Sequence, residues 1–126
     1  MAKAKAMILD FYEEGAARVT QLLESLDVEV VCWKRSGTNW FKEYGQHRPD
    51  FLFVDLLVPD RDGIYCINRL IKQDPSAICV LLHPYVSKMA LSVEEKALKA
   101  GAAAVVQKPI VSTRFNAMMN RFLDRI

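Results

Sequence analysis

Five short apolar runs alternate along this chain with five helical patterns, and that alternation leaves few folds open. The runs cover residues 6–9, 28–33, 51–54, 78–82 and 102–106. Between and after them, apolar residues recur at steps of three and four. Ala16, Val19, Leu22, Leu23 and Leu26 form one such stripe, and Trp40, Phe41 and Tyr44 form the second. Ile64, Ile67, Leu70 and Ile71 form the third; a polar, Ala-rich stretch ends near Gly101, and Phe115, Met118, Met119 and Phe122 close the series. Such steps mark one face of a helix, and Gly101 is placed as a C-cap. Short unbroken apolar runs alternating with amphipathic helices predict an α/β domain built on a buried parallel sheet. Right-handed crossovers then put helices on both faces.

A chain of 126 residues is long enough for one domain with a sizeable core and too short for two ordinary ones. We therefore read residues 1–126 as a single domain. A hydrophobic share of 52% with 25% charged residues fits a globular chain rather than a disordered one. The net charge of +2 gives no ground for direct nucleic-acid or membrane binding. Cys32, Cys66 and Cys79 lie in or beside apolar runs without CxxC spacing, which predicts buried free thiols in a reducing compartment. The basic start at Lys3 and Lys5 is followed by an apolar stretch that Asp10 cuts short, so no secretory leader is expected and the cytoplasm is the expected location.

In a parallel sheet, residues that end separate strands share one rim. Asp10 ends the first run, Asp55 the third and His83 the fourth, while Lys108 follows the fifth by one residue. Because an ionised carboxylate is costly to bury, Asp55 is expected where its run breaks surface. Each polar residue alone would only mark a strand end. Together, with Pro59 and the Asp62-Gly63 turn beside Asp55, they predict a site at the carboxyl rim, where open α/β sheets bind ligands. The group suits phosphoryl transfer to a carboxylate. Asp55 would be the nucleophile, Asp10 would help hold a Mg²⁺ ion, and Lys108 would pair with phosphoryl oxygens.

At this point the sequence resembles the response-regulator receiver domains, the CheY-like family of two-component signalling. "DLLVPDRDG" is similar to the family pattern of phosphoacceptor Asp, three residues, Pro, two variable residues and Asp-Gly; "GAAAVVQKP" resembles the lead into its fifth strand and its Lys-Pro pair. The resemblance implies a flavodoxin-like α/β/α sandwich with strand order 2-1-3-4-5, Asp55 as phosphoacceptor and a cis bond before Pro109. It also implies Mg²⁺ held by Asp10, Asp55 and the backbone carbonyl of Leu57. The implied partners are a histidine kinase or phosphotransfer protein, and an output domain or protein partner. No turnover enzyme is implied.

Three positions depart from the family. Phe11 stands where the second acid of the pair belongs, with Glu13 and Glu14 as the nearby substitutes, so weak Mg²⁺ binding is expected. His83 replaces the switch Thr or Ser, with Ser87 as another source of a hydroxyl, and Val105 replaces the switch aromatic. Any signal is then expected to pass through residues 83–101. These losses raise an alternative, a pseudo-receiver acting as a phosphorylation-independent interaction module. A phosphohydrolase of the haloacid-dehalogenase type is rejected, because in "DRDG" the first acid does not end the strand. A flavin-binding flavodoxin is rejected too, for want of a Ser/Thr/Gly-rich loop after the first run.

Overall fold

The computed structural model describes residues 3–84 and 90–126. Its elements alternate throughout: β1 (Ala4–Leu9), α1 (Glu13–Ser25), β2 (Val28–Lys34), α2 (Trp40–His47) and β3 (Phe51–Asp55), followed by α3 (Gly63–Gln73), β4 (Ile78–His83), α4 (Ala90–Ala100), β5 (Ala104–Gln107) and α5 (Ser112–Leu123). The five strands are parallel in the order β2-β1-β3-β4-β5, the flavodoxin-like arrangement expected from the sequence. The chain runs outward from β1 to β2, then returns to β3 and continues the other way. Strand order therefore reverses between β1 and β3, and the rim there is a natural ligand crevice.

The central strands separate two cores by strict alternation. Phe51 and Phe53 of β3 face α1 and α5, where the Phe53 ring stacks on Phe115 with centroids 5.9 Å apart. Leu52 and Val54 face the other way, onto Cys66, Ile67 and Leu70 of α3 and Ala97 of α4. All five residues of β3 and all six of β4 are buried, which explains their unbroken apolar runs.

Two element starts fall later than the sequence pattern suggests. Asn39 takes a left-handed φ of 58°, so α2 begins at Trp40 rather than in the turn from Gly37. Ala102 donates its N–H to the Ala97 carbonyl and so finishes α4, with Gly101 at φ 110° as the expected cap; β5 proper begins at Ala104.

The Asp62-Gly63 pair is less a free turn than the opening of α3. Asp62 caps the helix by accepting the Tyr65 N–H at 2.9 Å. A Cβ on Gly63 would lie 2.4 Å from the Asp55 carbonyl oxygen, so only glycine lets α3 start this close to β3. Gly63→Ala should therefore cost about 1–3 kcal/mol in urea denaturation. Gly45→Ala should be neutral or stabilise by roughly 0.5–1 kcal/mol, since Gly45 lies inside α2 with open space around it. Equal effects at both glycines would contradict this reading.

Candidate functional site

Strand register assembles the rim. Leu9 pairs with Val54, so the next residues, Asp10 and Asp55, come level on adjacent strands. Lys108 arrives from just beyond the far edge strand and reaches back over β4. Its Nζ donates to Asp10 Oδ2 and to Asp55 Oδ2, both at 2.7 Å. The other carboxylate oxygens are held by backbone: Asp10 Oδ1 accepts the Tyr12 N–H at 2.9 Å, and Asp55 Oδ1 accepts the Leu57 N–H at 2.8 Å. Leu57 thus lines the pocket through its backbone while its side chain faces solvent.

Asp55 does not break surface as expected. It and Asp10 are both 0% exposed, at the ends of strands whose rim other groups cover. The Lys108 ammonium and two backbone N–H groups compensate the burial, and sequence position alone does not reveal this because Lys108 lies 53 and 98 residues away. Desolvation still pushes the Asp10 carboxyl above its ordinary range; the Lys108 and Tyr12 bonds pull the other way, and the Asp55 charge adds to the rise. Burial alone would lower the pKa of Lys108. Its bonds to Asp10 and Asp55, and their charges, outweigh that and hold the ammonium above its usual value.

Gly15 is a site residue that the sequence reading passed over. A Cβ there would lie 2.6 Å from both Asp10 Oδ2 and Lys108 Nζ, so any side chain on this turn of α1 would force the ion cluster to shift. The signal was available, since a glycine in the first turn of an otherwise well-formed helix is unfavourable unless something needs the space.

The departing positions are placed as follows. Phe11 is 44% exposed, packs edge-on against Tyr12 and lies 5.0 Å beneath the Arg35 guanidinium, so it adds an apolar ring and a nearby cation next to Asp10. Glu13 and Glu14 are exposed on the first turn of α1, and among the described residues neither joins the Lys108 cluster. His83 is buried rather than an exposed strand end. Its Nδ1 meets the Pro84 carbonyl, and its own carbonyl accepts the Lys108 N–H at 2.8 Å, so it supports the pocket through backbone. Val105 is half-buried in β5, and the Lys108-Pro109 bond is cis, as expected. Ser87 lies outside the described residues, as does part of the 83–101 segment expected to carry a signal.

Chemically, two convergent carboxylates suit a hard, oxygen-ligated cation, and an ammonium beside them suits an anion bonded to one of them. Among the described residues, Asp10 and Asp55 gain no third carboxylate, thiol or imidazole within ligating reach.

A doubly wound α/β domain with an Asp–Lys–Asp cluster at its switch-point rim belongs to the open-sheet class that binds ligands at the carboxyl edge. The family model for the response regulator receiver domain matches residues 7–120, and the chain belongs to that family. It is 28% identical over 117 residues to the chemotaxis protein CheY of Thermotoga maritima, covering 93% of this chain and 95% of that protein. It is 34% identical over 115 residues to a protein-glutamate methylesterase/protein-glutamine glutaminase of Syntrophus aciditrophicus, covering 86% of this chain but only 32% of that protein. Among solved structures, a response regulator receiver domain protein from Clostridium thermocellum superposes with a TM-score of 0.83 at 21% identity, covering 97% of this chain and 95% of that one.

Receiver domains typically bind Mg²⁺ at their acidic pocket, interact with histidine kinases or phosphotransfer proteins, and are generally not turnover enzymes themselves. Among the described residues, no helix is long and apolar enough to cross a membrane. The three thiols are free, with Cys66 and Cys79 buried and Cys32 only half-buried, a partial correction to the expectation of buried thiols.

The Asp10 shift fixes a sign for pH dependence. A carboxyl with a raised folded pKa makes the folded state hold its proton longer than the unfolded chain does. Its contribution to stability therefore falls as pH rises from about 4 through the raised value. Lys108→Met should raise the Asp10 pKa further and cost about 3–5 kcal/mol at pH 7, because two buried carboxylates lose their counter-ion. That cost should shrink on acidification towards pH 4, where a protonated Asp10 needs no partner. Carboxyl-carbon NMR titration with denaturation at both pH values checks it; a cost independent of pH would refute the assignment.

Proposed function

We propose that this receiver accepts a phosphoryl group on Asp55 from a histidine kinase or phosphotransfer protein. The observation that carries the reading is the Lys108 ammonium held at 2.7 Å from both buried carboxylates. A carboxylate oxygen of Asp55 attacks the phosphorus of a phosphohistidine; the P–N bond breaks, its electron pair leaves with the donor imidazole, and an acyl phosphate remains. Lys108 already sits where the new phosphoryl oxygens would need a counter-charge. It is also the member of the cluster that reaches solvent, with 18% of its side chain exposed. Asp10, Asp55 and the Leu57 backbone carbonyl would hold Mg²⁺, which supplies charge neutralisation for the incoming phosphoryl oxygens when bound.

The departures bear on strength and on readout. Mg²⁺ gives up water reluctantly, so each missing carboxylate matters. If exchanging an acid for Phe11 costs about 2–3 kcal/mol, affinity falls roughly 30- to 150-fold. His83 and Val105 take the positions where relatives carry a hydroxyl and an aromatic. Both line a groove with Arg114, Phe115 and Met118, a surface suited to contact with an output domain or protein partner. The phosphorylation-independent reading draws less support, because the acceptor and its lysine are assembled.

Acetyl phosphate with Mg²⁺ should add one phosphoryl group to the native chain by intact mass, and none to Asp55→Asn. Phe11→Asp should raise Mg²⁺ affinity by roughly 30- to 150-fold in a tryptophan fluorescence titration. Trp33 is placed to report it, since its indole N–H donates to the Asp10 carbonyl at 2.9 Å. Native labelling that persists in Asp55→Asn would overturn the acceptor assignment, and no change in Phe11→Asp would overturn the account of weak metal binding.

A further inference from the structure

Away from the rim, the edge strand β2 and the helix α2 bring together a thiol, a carboxylate and an imidazole. One ligand atom from each of Cys32, Glu43 and His47 lies within 4.8 Å of the others. We propose that these three side chains form a binding site for a borderline divalent transition metal of the Zn²⁺ class, holding α2 against β2.

Two features of the chain create the cluster. Glu43 and His47 are four residues apart in α2, so they share one helix face. Cys32 reaches that face through a step in register. Ala6 pairs with Val30 but Met7 pairs with Cys32, leaving Val31 without a partner on β1. Val30 therefore packs with the α1 and α5 core, while Cys32, two residues on, packs with the opposite core beside Phe41 and Tyr44. Regular alternation would have put both on the same face. Such irregularities commonly re-aim one side chain.

The donor set selects the ion. A thiolate, an imidazole and a carboxylate suit Zn²⁺ and its neighbours, whereas Mg²⁺ prefers oxygen alone. At metal–ligand bonds of about 2.0–2.3 Å, tetrahedral ligands stand roughly 3.3–3.8 Å apart, so the group needs to close by at most about 1–1.5 Å. The exposed His47 and half-buried Glu43 have room to do this. Three protein ligands leave the fourth position to water. Burial, and then the Glu43 charge, push the Cys32 thiol up while the Lys34 charge lowers it, so the metal has to displace a proton held more tightly than usual. On binding, the thiol proton leaves to solvent and the sulfur takes the metal as thiolate. Lys34 currently pairs with Glu43 and is the competitor that the metal must displace.

Titrating Co²⁺ into the full chain tests the site. A thiolate-to-cobalt charge-transfer band should appear, vanish in Cys32→Ser and be displaced by Zn²⁺ but not by millimolar Mg²⁺. Burial raises the Cys66 and Cys79 thiols to about 12, so they should not produce it. His47→Ala should weaken apparent affinity at least tenfold, and Lys34→Met should strengthen it. In the native chain, Co²⁺ should broaden the His47 ring protons in NMR and leave those of buried His83 sharp, a readout that needs no variant. No band, a band surviving Cys32→Ser, or broadening of both histidines alike would overturn the proposal.

Discussion

The ammonium of Lys108, shared between two carboxylates without solvent exposure, is the interaction on which the rim depends. Two negative charges and one positive charge leave the pocket with one negative charge in excess. Hydrogen bonds from Tyr12 and Leu57 soften that excess without cancelling it, and the Asp10 pKa is raised first by burial and to a lesser degree by the Asp55 charge. A phosphoryl group would add further negative charge to the same small volume. The pocket is therefore built to respond to a second cation, a proton on Asp10 or a movement of Lys108, and each changes the balance of the other two.

Around that cluster, the neighbouring positions Phe11, Arg35 and His83 are apolar, aromatic or basic rather than acidic. Phe11 and Arg35 place a ring and a guanidinium next to Asp10. His83 contributes through its carbonyl, which anchors the Lys108 backbone, rather than by offering a hydroxyl to the pocket. Asp10 and Asp55 are brought level by strand register and Gly15 leaves room for Lys108 beside them, while His83 and Val105 lie on a neighbouring groove.

Much of this was readable from residue pattern because strand ends and helix stripes are local properties. Asp10, Asp55 and Lys108 could be assigned to one rim once the sheet was known to be parallel, and the parallel sheet followed from alternation. What escaped was set by contacts across the chain. Burial of Asp55 depends on a lysine 53 residues away, and the need for Gly15 appears only when α1 is seen against that lysine. The facing of Cys32 escaped for a different reason. Period-two alternation assigns it to the α1 side with Val30, and a single unpaired residue, Val31, reverses the assignment.

The end of β2 joins the two regions where charge is concentrated. The Asp10 N–H donates to the Lys34 carbonyl at 3.0 Å, and the Asp10 carbonyl accepts the Trp33 indole, so the backbone carrying the first rim carboxylate is bracketed by β2. The side chain of that same Lys34 reaches to the other side and pairs with Glu43 of α2. Its backbone and side chain therefore serve different charged groups from one position on an edge strand, where a single neighbouring strand limits its freedom. A shift of Lys34 large enough to release Glu43 has to be absorbed either by its flexible stem or by the bonds to Asp10. The four-carbon stem makes the first route the easier one, which keeps the rim geometry independent of α2 as long as β2 holds its register.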